Sequence, residues 1–123
     1  MKLHLNRSVN THYFTGYGDG YVEINRQRHE RSLVVMPGRL WSEWSGTTFA
    51  ALVAADLEAL AALGQEIILL GTGNVLQFPR PELMRPLIQA RVGLEVMDVA
   101  AACRTYNILV DEGRKVAAAL LLG

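Results

Sequence analysis

Gly71-Thr72-Gly73-Asn74, directly after the apolar run Ile67 to Leu70, is the sharpest chemical signal in the sequence. Glycines at the carboxyl end of a strand let a ligand approach the backbone, at the edge where open α/β sheets commonly bind. Thr72 and Asn74 would supply a hydroxyl and a carboxamide there. The segment GTGNVLQF is no phosphate-binding loop, because no Gly-Lys-Ser or Gly-Lys-Thr follows, and it lacks the third glycine of a dinucleotide fingerprint. No cofactor is expected, and a tight turn that releases the chain from the sheet is the preferred reading of so short a motif.

Parallel pairing of the runs 67–70 and 94–97 would set Thr72 and Asn74 beside Asp98 and the amino end of the last helix. Asp98 is read as the cap of that helix rather than as an acid catalyst, since its carboxylate can accept from free first-turn amides. Further along, Arg104, Tyr106 and Asn107 follow Cys103. Tyr106 and Asn107 are expected to tie down a neighbouring loop, for which Gly71 to Asn74 is the candidate, because asparagine is mildly unfavourable inside a helix. The thiol is read as buried and inert: a reactive thiolate needs a helix amino terminus or cations, and Arg104 lies off its face. His4, His12 and His29 have no metal-ligand spacing and are read as solvated or turn residues, so neither a metal site nor a catalytic residue is expected. Trp41 and Trp44, three apart, would point to opposite faces of a strand, one inward and one free to anchor a partner, unless the meander covers both, an equally weighted reading because aromatics supply much of the buried area in small folds.

The elements that must position these residues fall into two parts. Residues 1–48 read as a β meander, with Val22 and Ile24 on one strand face and Ser32 to Met36 turning back at Pro37-Gly38 along Arg39 to Trp44. Residues 49–123 alternate helix and strand. Ile67 to Leu70, Leu94 to Met97 and Lys115 to Leu122 read as strands buried on both faces. Between them, apolar residues recur at helical spacing: Leu57, Leu60 and Ala61; Met84, Leu87 and Ile88; Val99, Cys103, Tyr106 and Val110. The first helix is expected to begin near Ala55 or Asp56, the second to start late or kink at Pro86, and the third to stop at Gly113. Such alternation predicts parallel strands joined by crossover helices.

With 123 residues, 50% of them hydrophobic and 20% charged, the chain has the size and composition of one self-folding domain. Twelve Lys and Arg balance twelve Asp and Glu. This neutral chain has no overall field for nucleic acid or an anionic membrane, and binding to either would need a local patch. One cysteine excludes an internal disulfide. No secretory signal is visible at the start, and the stretch Phe49 to Leu63, broken by Asp56 and Glu58, is too short to span a bilayer. A reduced cytoplasmic compartment is expected, without membrane insertion or nucleic-acid binding.

The runs IILLGTGNVLQFP and VGLEVMDVAAACRTYNILVDEGRKVAAALLL, with Phe78-Pro79 and with Thr105-Tyr106-Asn107 ahead of Glu112-Gly113, resemble the uncharacterised Mth nine-three-eight-like family. Its eukaryotic relatives include the mitochondrial complex I assembly factor three and an adipogenesis-associated protein. The resemblance spans nearly the whole chain. It implies a compact α/β domain in which an antiparallel β layer packs on a β/α layer with parallel strands and about three helices, and it implies no catalytic residue. The expectation is therefore a non-catalytic binding or assembly-accessory protein, monomeric or weakly dimeric, that meets a protein partner through Gly71, Thr72, Gly73, Asn74, Asp98, Arg104, Tyr106 and Asn107, with Trp41 or Trp44 as anchor. The alternative is a small-molecule binder or enzyme with its pocket at Gly71 to Asn74, in which Thr72 and Asn107 orient a ligand and Arg104 holds its carboxylate or phosphate.

Overall fold

The computed structural model describes residues 10–44 and 48–122, so His4 lies outside the described residues. Strands β1 (Phe14–Gly18), β2 (Tyr21–Ile24) and β3 (Gln27–His29) form a small antiparallel sheet in the order β1-β2-β3. The larger sheet comprises β4 (Leu33–Met36), β5 (Arg39–Trp41), β6 (Ile67–Gly71), β7 (Gly93–Met97) and β8 (Val116–Leu120), in the order β5-β4-β8-β6-β7. Helices α1 (Ala54–Ala61), α2 (Pro81–Gln89) and α3 (Val99–Asp111) complete the fold. It is a mixed α/β domain.

The parallel pairing on which the site depends is present: Ile67 to Gly71 runs alongside Gly93 to Met97, in register from Ile67↔Gly93 to Gly71↔Met97. β6 also pairs in parallel with β8. The β4–β5 hairpin, expected to belong to the meander, instead lies antiparallel to β8, with Val34 opposite Ala119. All four β4 residues are buried, so this strand needs cover on both faces, which only a place inside the larger sheet provides. β7 departs from its expected burial on both faces. It is the sheet edge, with Gly93 and Glu95 exposed.

Period-two alternation divides the core between the two faces of the larger sheet. Leu33, Val35, Leu69, Val116, Ala118 and Leu120 pack with Phe14, Val22 and Ile24 of the small sheet and with Val99, Ala102, Cys103 and Tyr106 of α3. Val34, Ile68, Leu70, Ala117 and Ala119 face the other way, onto Leu57 and Leu60 of α1 and Leu83 and Leu87 of α2. The small sheet and α3 therefore lie on one side, and α1 and α2 on the other.

The helix ends follow local chemistry. α1 begins at Ala54, and Asp56 reaches back to accept from the Val53 amide at 3.0 Å. α2 starts with Pro81 in its first position, where the missing donor is harmless, and runs without a late start through Pro86 to Gln89. Pro86 forfeits one i→i−4 bond, and burial of Leu83 and Leu87 on either side keeps the helix together. Asp98 caps α3 by accepting from the Ala101 amide at 2.8 Å, and Gly113 follows with φ 77°.

Candidate functional site

The loop after β6 is tied from within. The Thr72 hydroxyl donates to the Val75 carbonyl at 2.8 Å and accepts from the Gln77 amide at 3.0 Å, with only 3% of the residue exposed. Its amide donates to the Met97 carbonyl at 2.9 Å. A Cβ on Gly71 would come within 2.7 Å of Leu120 Cδ2 and 3.3 Å of Val99 Cα, so a side chain here would crowd the close approach of α3 and β8. Gly73 has φ 88°, and its carbonyl accepts from the Val99 amide at 2.9 Å. With Asp98 on the Ala101 amide, two first-turn donors of α3 already have protein partners.

Asn74 leaves the loop and donates to the Asp19 carboxylate at 2.6 Å, which joins the loop to the β1–β2 turn. Arg104 lies beyond that turn from the loop: its guanidinium donates to the Tyr17 hydroxyl at 3.0 Å, and this bond pushes its pKa above the ordinary value. Tyr106 and Asn107 do not tie Gly71 to Asn74, as the sequence suggests. The Tyr106 hydroxyl donates to the His12 carbonyl at 3.0 Å, while Asn107 accepts from the Phe14 amide at 3.0 Å and donates to the Phe14 carbonyl at 2.8 Å. The free edge of β1 lies against α3, and a carboxamide supplies both the donor and the acceptor that an unpaired strand residue lacks.

Gly71, Thr72, Gly73, Asn74 and Asp98 are thus brought together, and Arg104 joins them through the hairpin, whereas Tyr106 and Asn107 serve the interior. Burial pushes the Cys103 thiol up to about 12, against a smaller opposing effect of Arg104. That places it far from a thiolate nucleophile at neutral pH. Three shallow depressions follow the seam between β1 and α3. One of about 200 Å³ lies between Gly18, Asp19, Asn74 and Leu122, one of about 240 Å³ between Tyr17, Asn74, Asp98 and Ala100, and one of about 170 Å³ between Thr15, Cys103, Arg104 and Asn107. Ligand pockets commonly measure about 300–1,000 Å³. Among the described residues no group of three or more His, Cys, Asp and Glu could hold a metal.

Of the two readings of the tryptophans, the structure is nearer to the one in which both are covered than to one inward and one outward. β5 ends at Trp41, and Trp44 lies past it, buried, with its indole N–H donating to the Asp56 carbonyl at 3.1 Å. Trp41 is partly buried on the same α1/α2 core, with the Arg39 guanidinium 5.5 Å from its ring centre. His12 and His29 also differ from solvated residues: His12 Nδ1 is 3.0 Å from the Met36 carbonyl, and His29 Nε2 is buried with no partner among the described residues. Sequence reasoning missed the exposed apolar side chains that surround the site: Tyr17 and Ile108 near Arg104, and Val75, Leu76 and Phe78 on the loop. Phe78 stood out only as part of Phe78-Pro79, and periodicity assigns no exposure to a loop residue.

Two layers of β structure, with α3 packed against β1, define an α/β domain of known architecture. The crystal structure of a Bordetella parapertussis protein matches 92% of this chain and 97% of its own, with 42% identity and a TM-score of 0.84. The solution structure of a Bordetella pertussis protein described as an Mth nine-three-eight-like domain covers 99% of this chain and 92% of its own, at 35% identity and a TM-score of 0.81. The chain belongs to the family described as Protein of unknown function (DUF498/DUF598), whose model matches residues 14–121. Mouse NADH dehydrogenase [ubiquinone] 1 alpha subcomplex assembly factor 3 is 39% identical over 56 residues, which are 46% of this chain and 30% of that protein. The match therefore spans less than a third of the assembly factor's length. Among the described residues, no helix is long and apolar enough to cross a membrane.

Proposed function

We propose that this chain is a non-catalytic binding protein of the cytoplasm that supports assembly of a membrane or respiratory complex, holding a protein partner on the face where the β1–β2 hairpin lies over α3. The observation that carries this reading is the pairing of Tyr17 with Arg104 at the surface, beside Ile108 one helical turn on. Tyrosine and arginine are among the side chains that most often anchor protein interfaces, and an exposed isoleucine one turn along the same helix gains from being covered. The relation to assembly factor 3 supports the class of role. Small-molecule binding has less to work with, since the Thr72 hydroxyl and both ends of the Asn107 carboxamide are engaged inside the protein.

The test is genetic and biochemical. Membranes from cells lacking this chain are resolved on native gels, with complementation by the natural protein or by the pair Arg104→Glu and Ile108→Ser. Accumulated respiratory subcomplexes that the natural protein clears and the double variant does not are the expected result. Unaltered complexes in the deleted cells overturn the assembly role, and full rescue by the variant overturns this face.

A further inference from the structure

We infer that the surface formed by Val75 to Phe78 and the outer side of α2 rests on an anionic lipid bilayer. Net charge is zero for the whole chain, yet residues 74–91 hold three arginines (Arg80, Arg85, Arg91) and one acidic residue, Glu82. The remainder, with nine basic and eleven acidic groups, is correspondingly negative. All three arginines are exposed, and none has an ion pair among the described residues. Among the described residues these three cations are thus held by no acidic side chain, Glu82 of the same stretch included.

The apolar groups among them stand out into solvent. Val75 is 65% exposed, Leu76 47%, Phe78 69% and Ile88 66%. These values describe protruding side chains rather than the walls of a cleft. Thr72 holds the loop by its bonds to Val75 and Gln77, and Pro79 is buried, so Phe78 is fixed outward between two anchored positions. On α2, Leu83 and Leu87 face the core while Arg85 and Ile88, three apart, face out. A nine-residue helix is about 13 Å long, so Ile88 stays close to the loop that begins it.

Protruding apolar side chains interleaved with long cationic ones match the interface of a bilayer, where rings and aliphatic groups enter the acyl boundary and guanidinium groups stay among the phosphates. A fluid interface accepts such scattered projections without a matching cavity, whereas a folded acidic partner would need one pocket for each. Its α2 part lies on the α1/α2 side of the larger sheet, opposite α3, so lipid contact there leaves the partner face bearing Arg104 open.

Flotation of the full-length chain with phosphatidylcholine vesicles, with and without phosphatidylglycerol, tests this directly. The expected result is retention on the anionic vesicles alone, weakened by high salt. Each cation at such a surface is worth about five-fold in partitioning, so Arg85→Gln with Arg91→Gln weakens binding about 25-fold at low salt. Leu76→Ser with Phe78→Ser removes the part of the binding that survives high salt. Unchanged near-ultraviolet circular dichroism and melting temperature establish that both variants fold. No flotation of the natural protein, or flotation that neither pair weakens, overturns the inference. Loss of complex assembly in cells by these variants, with no vesicle binding in vitro, assigns the surface to a protein instead. Failure here leaves the role of Tyr17 and Arg104 standing, because the Arg104→Glu and Ile108→Ser pair reads that face separately.

Discussion

The carboxamide of Asn107 closes on the backbone of Phe14 from both sides, accepting from its amide at 3.0 Å and donating to its carbonyl at 2.8 Å across 93 positions of sequence. One helix side chain thereby stands in for the neighbouring strand that β1 lacks. The Phe14 and Tyr106 rings meet edge to face beside it, with centroids 5.1 Å apart. Asn107→Leu is expected to cost about 2–3 kcal/mol, because it leaves a partly buried donor and acceptor unpaired. Asn107→Asp keeps the acceptor and is expected to lose less. Urea midpoints of the two variants make the comparison, and equal stability of Asn107→Leu and the natural protein would refute the structural role.

Thr72→Val retains the shape of a buried side chain and deletes the hydroxyl's bonds to Val75 and Gln77, along with its longer contact to the Met97 carbonyl at 3.4 Å. The expected loss is about 2 kcal/mol, together with faster hydrogen exchange at the Gln77 amide, which the hydroxyl accepts from. Thr72→Ser keeps the hydroxyl and is expected to preserve the slow exchange. Exchange rates measured by NMR at that one amide separate the outcomes.

Gly71→Ala pushes a methyl toward Leu120 and the α3 backbone at Val99, and overpacking of this kind costs about 1–3 kcal/mol. At Gly38 a Cβ would meet nothing within 4 Å, and Gly38→Ala is expected to stay within about 0.5 kcal/mol. A melting temperature lowered by the first substitution and not by the second is the outcome to look for.

Burial keeps the Cys103 thiol protonated up to about 12, against an ordinary 9.0, and burial likewise raises the Tyr106 hydroxyl well above 10.0. In the unfolded chain both lose their protons at the ordinary values, so above pH 9 the unfolded state binds fewer protons than the folded one. Stability is therefore fully present below pH 9 and falls as pH rises, by about 1.4 kcal/mol per pH unit for each group that titrates only in the unfolded chain. Urea midpoints taken from about pH 8 to about pH 10.5 should decline, and less steeply in Cys103→Ala. A flat profile would contradict the burial of both groups. Native Cys103 should also resist thiol reagents at neutral pH and react once the chain is unfolded.

Among the described residues His29 Nε2, buried in β3, has no hydrogen-bond partner, a state that costs about 1–3 kcal/mol for a polar group. His29→Leu removes that cost with similar bulk. It is expected to leave stability unchanged or raise it by up to about 1 kcal/mol, and a lowered urea midpoint would show that the imidazole contributes an interaction of its own.

Much of the parallel half of the fold is legible in the sequence, because its signals are local. Ile67 to Leu70 ahead of two glycines marks a buried strand, and Asp98 and Gly113 bracket α3 with the capping chemistry that the structure contains. What escapes is decided by partners distant in the chain. Nothing near Val34 indicates that it will lie opposite Ala119, and nothing near Asn107 points to Phe14. Trp44 escapes for a related reason: strand periodicity says where it would point only if the strand reached it, and β5 ends three residues earlier, at Trp41. Pro86 misleads in the other direction. The local cost of a proline is real, and burial of two leucines on one helix face outweighs it. Of the candidate site, the gathering of Gly71 to Asn74 beside Asp98 is readable from strand direction alone, while the hairpin that bridges it to Arg104 is a tertiary contact.

β8 is the seam of the larger sheet, joining the antiparallel β4–β5 pair to the parallel β6–β7 pair, and in chain order it follows every other element. The ladder that joins the two pairs is therefore complete only once Val116–Leu120 has been made. Until then the nascent chain offers two open strand edges, at β4 and β6, to whatever lies nearby. The native topology therefore hinges on one short ribbon of mostly alanine, without which the two half-sheets share no strand pairing.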